Sequence, residues 1–249
     1  MWNKLKKFID NNLCQMADSL LTYWHKRNRI TKGLTFMPKV GITVRLTVTE
    51  SDGTISYDKT EPAHSFTRNF WNALFSYIAN STSSGSNNFG SGYISIKSSA
   101  GTLSYATLDT ISFSSYESGR GILGILSNST YGIVVGTSAA AFTVEQFALG
   151  AQCVQGTGTN NLQHAAQAYP TISWTVGTLT WLAVHRRIFN NNSAGAIGVN
   201  ETGLYSDLLN FSKGSGEFMV ERNVLGGTVT VGIGAQLTVT YNISVVFPW

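Results

Sequence analysis

Leu237-Thr-Val-Thr-Tyr-Asn-Ile-Ser-Val-Val-Phe247 decides the fold. Leu237, Val239, Tyr241, Ile243, Val245 and Phe247 alternate with Thr238, Thr240, Asn242, Ser244 and Val246. An apolar residue at every second position puts all of them on one side of a pleated strand, so this is a half-buried β-strand. The other side carries Thr, Asn and Ser rather than Lys and Glu. A strand face that is polar yet uncharged raises the question of what covers it.

The pattern recurs. Ile42, Val44, Leu46 and Val48 alternate with Thr43, Arg45, Thr47 and Thr49, and Ser51-Asp52-Gly53 is a hairpin turn from which Ile55 and Tyr57 lead back. Short strands are expected at 93–97, 102–107, 122–126, 131–135, 171–176, 179–188, 196–200, 217–224, 228–232 and 236–247. Strands at this spacing specify a mainly β protein, an antiparallel β-sandwich or jelly-roll-like body, rather than βαβ units.

Helical spacing occurs in two places. Phe66, Phe70, Leu74 and Ile78 step by four, with Trp71 and Phe75 widening the stripe and Arg68, Asn69, Asn72 and Ser76 facing away. This predicts one internal helix over 65–79, capped by Ser65 or Thr67 and packed on the sheets. In residues 2–26, Trp2, Leu5, Ile9, Leu13, Met16, Leu20 and Trp24 form a second stripe, opposite Lys4, Lys7, Asn11, Gln15, Asp18 and Thr22. A short helix capped near Thr143 is a further expectation. The resulting organisation is a basic amphipathic N-terminal helix (1–32) followed by the β body (33–249).

Composition fits a body with covered surfaces. Of 249 residues, 43% are hydrophobic, enough for a core, and only 12% are charged, with Ser, Thr, Asn and Gly in their place. Residues 1–32 carry seven Lys and Arg against Asp10 and Asp18, a net +5, which leaves the rest at −1 of the total +4. Between Gly121 and Val184, Glu145 is the sole Asp, Glu, Lys or Arg. No run approaches the ~20 apolar residues of a membrane-spanning helix. The first residues lack the apolar core of a secretory signal, so synthesis in a host cytoplasm is the expectation. Cys14 and Cys153 fit neither a disulfide framework nor a metal spacing and read as free thiols.

Catalytic patterns fail on context. Gly119 to Gly124, Gly-Arg-Gly-Ile-Leu-Gly, matches a dinucleotide fingerprint, but the residues after it make a poor helix, so a turn between strands is the better reading. His25, His64, His164 and His185 sit in no metal-binding spacing and read as surface or interface residues. The carboxylate pairs Glu217/Glu221, Glu201/Asp207 and Glu50/Asp52 have no local feature that would raise a pKa. The chain therefore reads as a non-enzyme with no cofactor and no metal. The N-terminal helix has three uses open to it: an anionic membrane, nucleic-acid phosphates, or docking on protein. Asp10 and Asp18 dilute its basic face, so protein docking without specific nucleic acid is favoured.

Three segments together resemble virion proteins of tailed bacteriophages. His64 to Ala79 resembles an aromatic helix of theirs. Arg186 to Tyr205 resembles a segment in which an Arg-x-Phe strand and small residues lead into Val-x-Glu-x-Gly-Leu-Tyr. Phe218 to Phe247 resembles their closing pair of strands. The resemblance covers about half the chain, mostly its last third. It implies a self-associating structural protein attached to the virion: a capsid decoration, head fibre, neck or tail component. The implied partners are copies of itself and capsid, portal, neck or tail proteins. The alternative is a carbohydrate- or receptor-binding sandwich of a tail or fibre, with loops 81–92, 156–163 and 190–195 facing a host surface glycan. An outer-membrane barrel also alternates and ends on an aromatic residue, but Pro248 interrupts the last strand.

Overall fold

The computed structural model describes residues 38–63, 65–78, 95–105, 122–206 and 217–248. The N-terminal helix expected at 2–26, with Trp2, Leu5, Ile9, Leu13, Met16, Leu20 and Trp24, lies outside these residues. So do loop 81–92, Cys14, His25, His64, Asp207 and Trp249, and the side chain of Ile78.

The protein is mainly β and antiparallel. The strands are β1 (Lys39–Thr49), β2 (Ile55–Pro62), β3 (Ser65–Phe66), β4 (Ser95–Lys97), β5 (Leu103–Tyr105), β6 (Gly132–Gly136), β7 (Gln163–His164), β8 (Ala168–Thr175), β9 (Thr180–Asn190), β10 (Ile197–Ser206), β11 (Phe218–Val231) and β12 (Gln236–Val246). One helix, α1, spans Arg68–Ile78. A six-stranded sheet has the order β2-β1-β12-β9-β7, with β8 also paired to β9. A four-stranded sheet has the order β3-β11-β10-β6, and β4 pairs with β5.

The two larger sheets share one core. Val44, Leu46, Val48, Phe189, Leu237, Val239 and Tyr241 of the first pack with Ile133, Val135, Ile197, Val199, Leu204, Val220, Val229 and Val231 of the second. This is the sandwich expected from the alternation. Leu237, Val239 and Tyr241 are fully buried, and the Thr, Asn and Ser between them point away from the core. The hairpin between β1 and β2 also forms. Gly53 sits at φ 85° and Asp52 Oδ1 accepts from Thr54 N at 2.9 Å, a turn that only a residue tolerant of positive φ closes cheaply.

Several expectations are corrected. The strands expected at 217–224 and 228–232 are one, β11, with irregular pairing to β10 between them. Residues 122–126 are irregular, not a strand. No helix follows Thr143. That segment instead crosses the outer face of the four-stranded sheet, where Arg222 takes the carbonyls of Ala140 and Ala141.

The internal helix begins three residues late. Phe66 lies in β3 and stacks on Phe70, with ring centroids 3.7 Å apart. Thr67 does not cap the helix by its hydroxyl, which donates to Met219 O at 2.7 Å. The face expected outside is partly inside. Asn69 is buried and bonds Lys97 N and O and Met219 O, while Asn72 donates to Ser95 O. Ala73 is buried, Phe70 and Leu74 are half-buried, and Trp71 and Phe75 are exposed. The helix thus docks through amides that satisfy the short β4 strand as well as through apolar packing.

Candidate assembly surface

Among the described residues, most buried polar side chains hold the body together through hydrogen bonds. Arg187 on β9 is enclosed in the core and donates to five backbone carbonyls: Ala165, Tyr131, Ile133 and Ile125, each at 2.9 Å, and Asn128 at 2.5 Å. Among the described residues no carboxylate pairs with it, and burial lowers its pKa to about 10. One guanidinium, with its rigid fork of five donors, fastens the irregular segment 122–133 to the sheet. Gln167 adds to the same knot, accepting from Ile133 N and donating to Ile122 O.

The outer face of the four-stranded sheet carries a second cluster. Arg222 Nε and Glu201 Oε2 form a fully buried ion pair at 2.7 Å. Glu201 also accepts from Gly150 N and Ala151 N, and Arg222 donates to Gln146 Oε1. Both charges are therefore paired and hydrogen-bonded, the condition under which burial is tolerable. Leu149, Val134, Tyr205 and Met219 pack beside them, and Tyr205 Oη accepts from Leu149 N at 2.8 Å.

The preceding residue, Glu221, faces the opposite way, into the core. Among the described residues neither of its oxygens accepts a well-formed hydrogen bond, although the Tyr241 hydroxyl is near enough to favour its charged form. Burial raises its pKa to about 8, against the weaker opposing influence of the Tyr241 hydroxyl and Arg222. Glu221 is thus a neutral acid at pH 7. Tyr241 Oη shares a hydrogen bond of 2.6 Å with Thr202 Oγ1. This carboxyl went unread in the sequence because its raised pKa comes from burial, which strand spacing near Glu217 does not reveal.

The histidines are corrected as well. His164 and His185 are core residues, not surface ones. His164 Nε2 lies 3.0 Å from Cys153 O, and burial lowers its pKa to about 4, so it is neutral. Burial lowers that of His185 also. Cys153 is a free buried thiol, its pKa pushed up to about 12 by the same desolvation. Among the described residues no group of three or more His, Cys, Asp or Glu is arranged to hold a metal ion. Gly124, the last glycine of the fingerprint-like run, opens no helix: it lies against Arg187 and the Tyr131 carbonyl.

The loop between β9 and β10, one of the three expected to face a glycan, is also committed internally. Asn191 is buried, donates to Gly195 O and Val231 O, and accepts from Ser193 N and Oγ.

One outward patch is apolar. The inner face of the six-stranded sheet is a series of cross-strand rows. Val48, Leu237 and Phe189 form one, Leu46, Val239 and Arg187 the next, and Val44, Tyr241 and His185 the third, all buried. The fourth row, Ile42, Ile243, Ala183 and Ile172, is half-covered at its centre, while Ile172 is 65% exposed. The fifth, Val40, Val245, Trp181 and Trp174, runs past the described part of the second sheet, leaving Trp181 45% and Trp174 39% exposed. The Trp174 and Trp181 rings lie 5.1 Å apart and Phe247 lies 6.0 Å from Trp174. Clustered aromatic rings at a surface are the usual makings of a protein interface.

The opposite face answers the opening question in part. Away from the exposed Arg45 and Arg186, it carries the rows Thr43, Asn242, Val184, Thr171 and Gly41, Ser244, Leu182, Ser173. These residues are half-exposed on β1, β9 and β12 and more open on β8, with no second layer over them among the described residues.

No protein-family model matches this chain, and no curated protein or solved structure matches it at a significant level.

Proposed function

We propose that the chain is a non-enzymatic structural protein of a tailed-phage virion, self-associating and attached to the particle as a capsid decoration, head fibre, neck or tail component. The observation that carries the reading is the exposed aromatic cluster of Trp174, Trp181 and Phe247, together with the uncharged Thr/Ser/Asn rows on the opposite face of the same end of the sheet. Such a surface loses little when a neighbouring subunit covers it, because few charges need desolvation. The buried ionisable groups support the same reading, since their hydrogen bonds or burial hold loops and sheets in place. The resemblance of the 186–205 and 218–247 segments to virion proteins points the same way.

Residues 1–32, with their apolar stripe and net charge of +5, are the proposed anchor to other virion proteins. The glycan-binding alternative is weakened by the internal use of Asn191 and Ser193, which removes two of the polar groups of one of its loops and leaves Asn192 exposed. The experiment is localisation: gel bands of purified particles and labelled antibody in electron microscopy. A structural protein is present at fixed high copy number in every particle. A chain found free in the lysate and bound to cells would reverse the assignment.

A further inference from the structure

The two ends of the six-stranded sheet are treated differently. The edge strand β2 carries Asp58, Lys59, Glu61 and Pro62, with ion pairs from Arg45 to Asp58 and Lys59 to Glu61. Charges and proline are how a sheet edge is protected against added strands. The other edge strand, β8, reads Ala-Tyr-Pro-Thr-Ile-Ser-Trp-Thr and has no charge. It pairs only with β9 among the described strands, and all but one of its residues are exposed. Tyr169 and Ile172 are 70% and 65% exposed. Pro170 lacks an N–H, but it precedes the regular part of the strand, Thr171–Thr175.

From this we infer that β8 is the edge at which a second copy of the chain adds, β8 to β8, antiparallel about a two-fold axis through Ser173. A two-fold perpendicular to the sheet keeps inner face with inner face and pairs residues whose numbers differ symmetrically about the axis. Centring on Ser173 uses all five regular residues and leaves Pro170 outside. Ile172 then opposes Trp174 of the second copy, and Thr171 opposes Thr175. Apolar meets apolar on one face, and hydroxyl meets hydroxyl on the other. With no charge on the strand, self-pairing creates no like-charge contact, the usual objection to a homotypic edge. The row of Val40, Val245, Trp181 and Trp174 continues across the axis into Ile172 and Ala183 of the second copy. Five paired residues are few beside the roughly 800 Å² per partner of a standard interface, so the association is concentration-dependent and suits a crowded particle surface.

This inference deepens the proposed self-association by naming its surface, and its test is separate from particle localisation. Opposed residues in an antiparallel pair have Cα atoms about 4.5–5.5 Å apart, within the roughly 4.4–6.8 Å that a disulfide spans. In full-length chain with Cys14→Ser, Ser173→Cys is expected to give a covalent dimer on mild oxidation, while Thr60→Cys on the β2 edge gives none. Cys153 is buried and does not compete. In sedimentation velocity, Ser173→Lys is expected to raise the concentration for half-association at least tenfold. Equal cross-linking at Ser173→Cys and Thr60→Cys, or unchanged association of Ser173→Lys, overturns the pairing. So does a photo-cross-linker at position 173 that reaches residues 1–37 instead of β8, for the edge would then be covered by the chain's own N-terminal segment. A chain that enters particles yet fails these tests keeps its structural role and loses this interface.

Discussion

At the residue scale, function-like chemistry has been turned to architecture. Arg187 shows the cost of that choice. Removing its side chain leaves carbonyls at Ala165, Tyr131, Ile133 and Ile125 without their donor. Arg187→Ala is therefore expected to lose roughly 3–5 kcal/mol, since each stranded buried carbonyl costs about 1–3 kcal/mol and some regain water, measured by urea unfolding. Arg187→Lys should recover only part, since an ammonium cannot reproduce the planar fork.

Glu221 makes a pH signature. Its folded pKa of about 8 lies above the roughly 4.3 of an unfolded glutamate, so the native state holds the proton more tightly. Its contribution is complete below about pH 4.3 and fades as pH rises towards 8, at up to about 1.4 kcal/mol per pH unit. His164 acts with the opposite sign. Its folded pKa of about 4 lies below the roughly 6.5 of an exposed histidine, so its contribution is complete above pH 6.5 and fades as pH falls. His185 shifts in the same direction. Stability should therefore peak near pH ~6.5 and decline towards pH 8. Glu221→Gln should remove the decline above the peak. A flat profile from pH 6.5 to 8 in the native protein would show that Glu221 is ionised there.

At the scale of elements, α1 shows where reading by pattern stops. The four-residue spacing of Phe66, Phe70, Leu74 and Ile78 located a helix correctly, because it reflects one face of a 3.6-residue period. It misjudged how that helix docks. Asn69 looked like a solvent residue, but β4 leaves Lys97 N and O unpaired on the helix side, and only an amide serves both. Asn69→Ala should cost about 2–3 kcal/mol, since each stranded buried polar group is worth about 1–3. Phe75→Ala, at an exposed ring, should stay within about 0.5 kcal/mol. Thermal unfolding of the two variants separates amide docking from apolar docking, and the reverse order would restore the aromatic stripe as the main contact.

The strands were legible for a simpler reason. A period of two survives any tertiary arrangement, so β1, β9 and β12 could be read directly. The burial of Glu201, Arg222 and Arg187 could not, because each depends on which distant segment crosses over it, and that of Glu221 depends on the sheet packed opposite. Segment 137–151 over the outer face and segment 122–133 against β9 are both irregular and carry no periodic signal. The aromatic surface was half legible: the lack of charge between Gly121 and Val184 marked the region, but the alignment of Trp174 with Trp181 is a product of register.

At the scale of the whole molecule, the protein is a sandwich whose interior is tied by the hydrogen bonds of Arg187 and Arg222 and whose β8 edge is uncharged. Its anchor, residues 1–32, is proposed to be separable from that interior. Deleting them should leave the unfolding free energy of the β body unchanged within about 0.5 kcal/mol while abolishing attachment to the particle. A truncated chain that cannot fold would place the segment in the core instead.

The central claim is that this chain is built to be a repeated part of a virion. Quantitative labelling of purified tailed-phage particles with antibody against the β body tests it most directly. The account predicts labelled sites at constant number and position on every particle, lost when residues 1–32 are deleted. Particles free of label, with the chain recovered wholly in the soluble lysate, would contradict it.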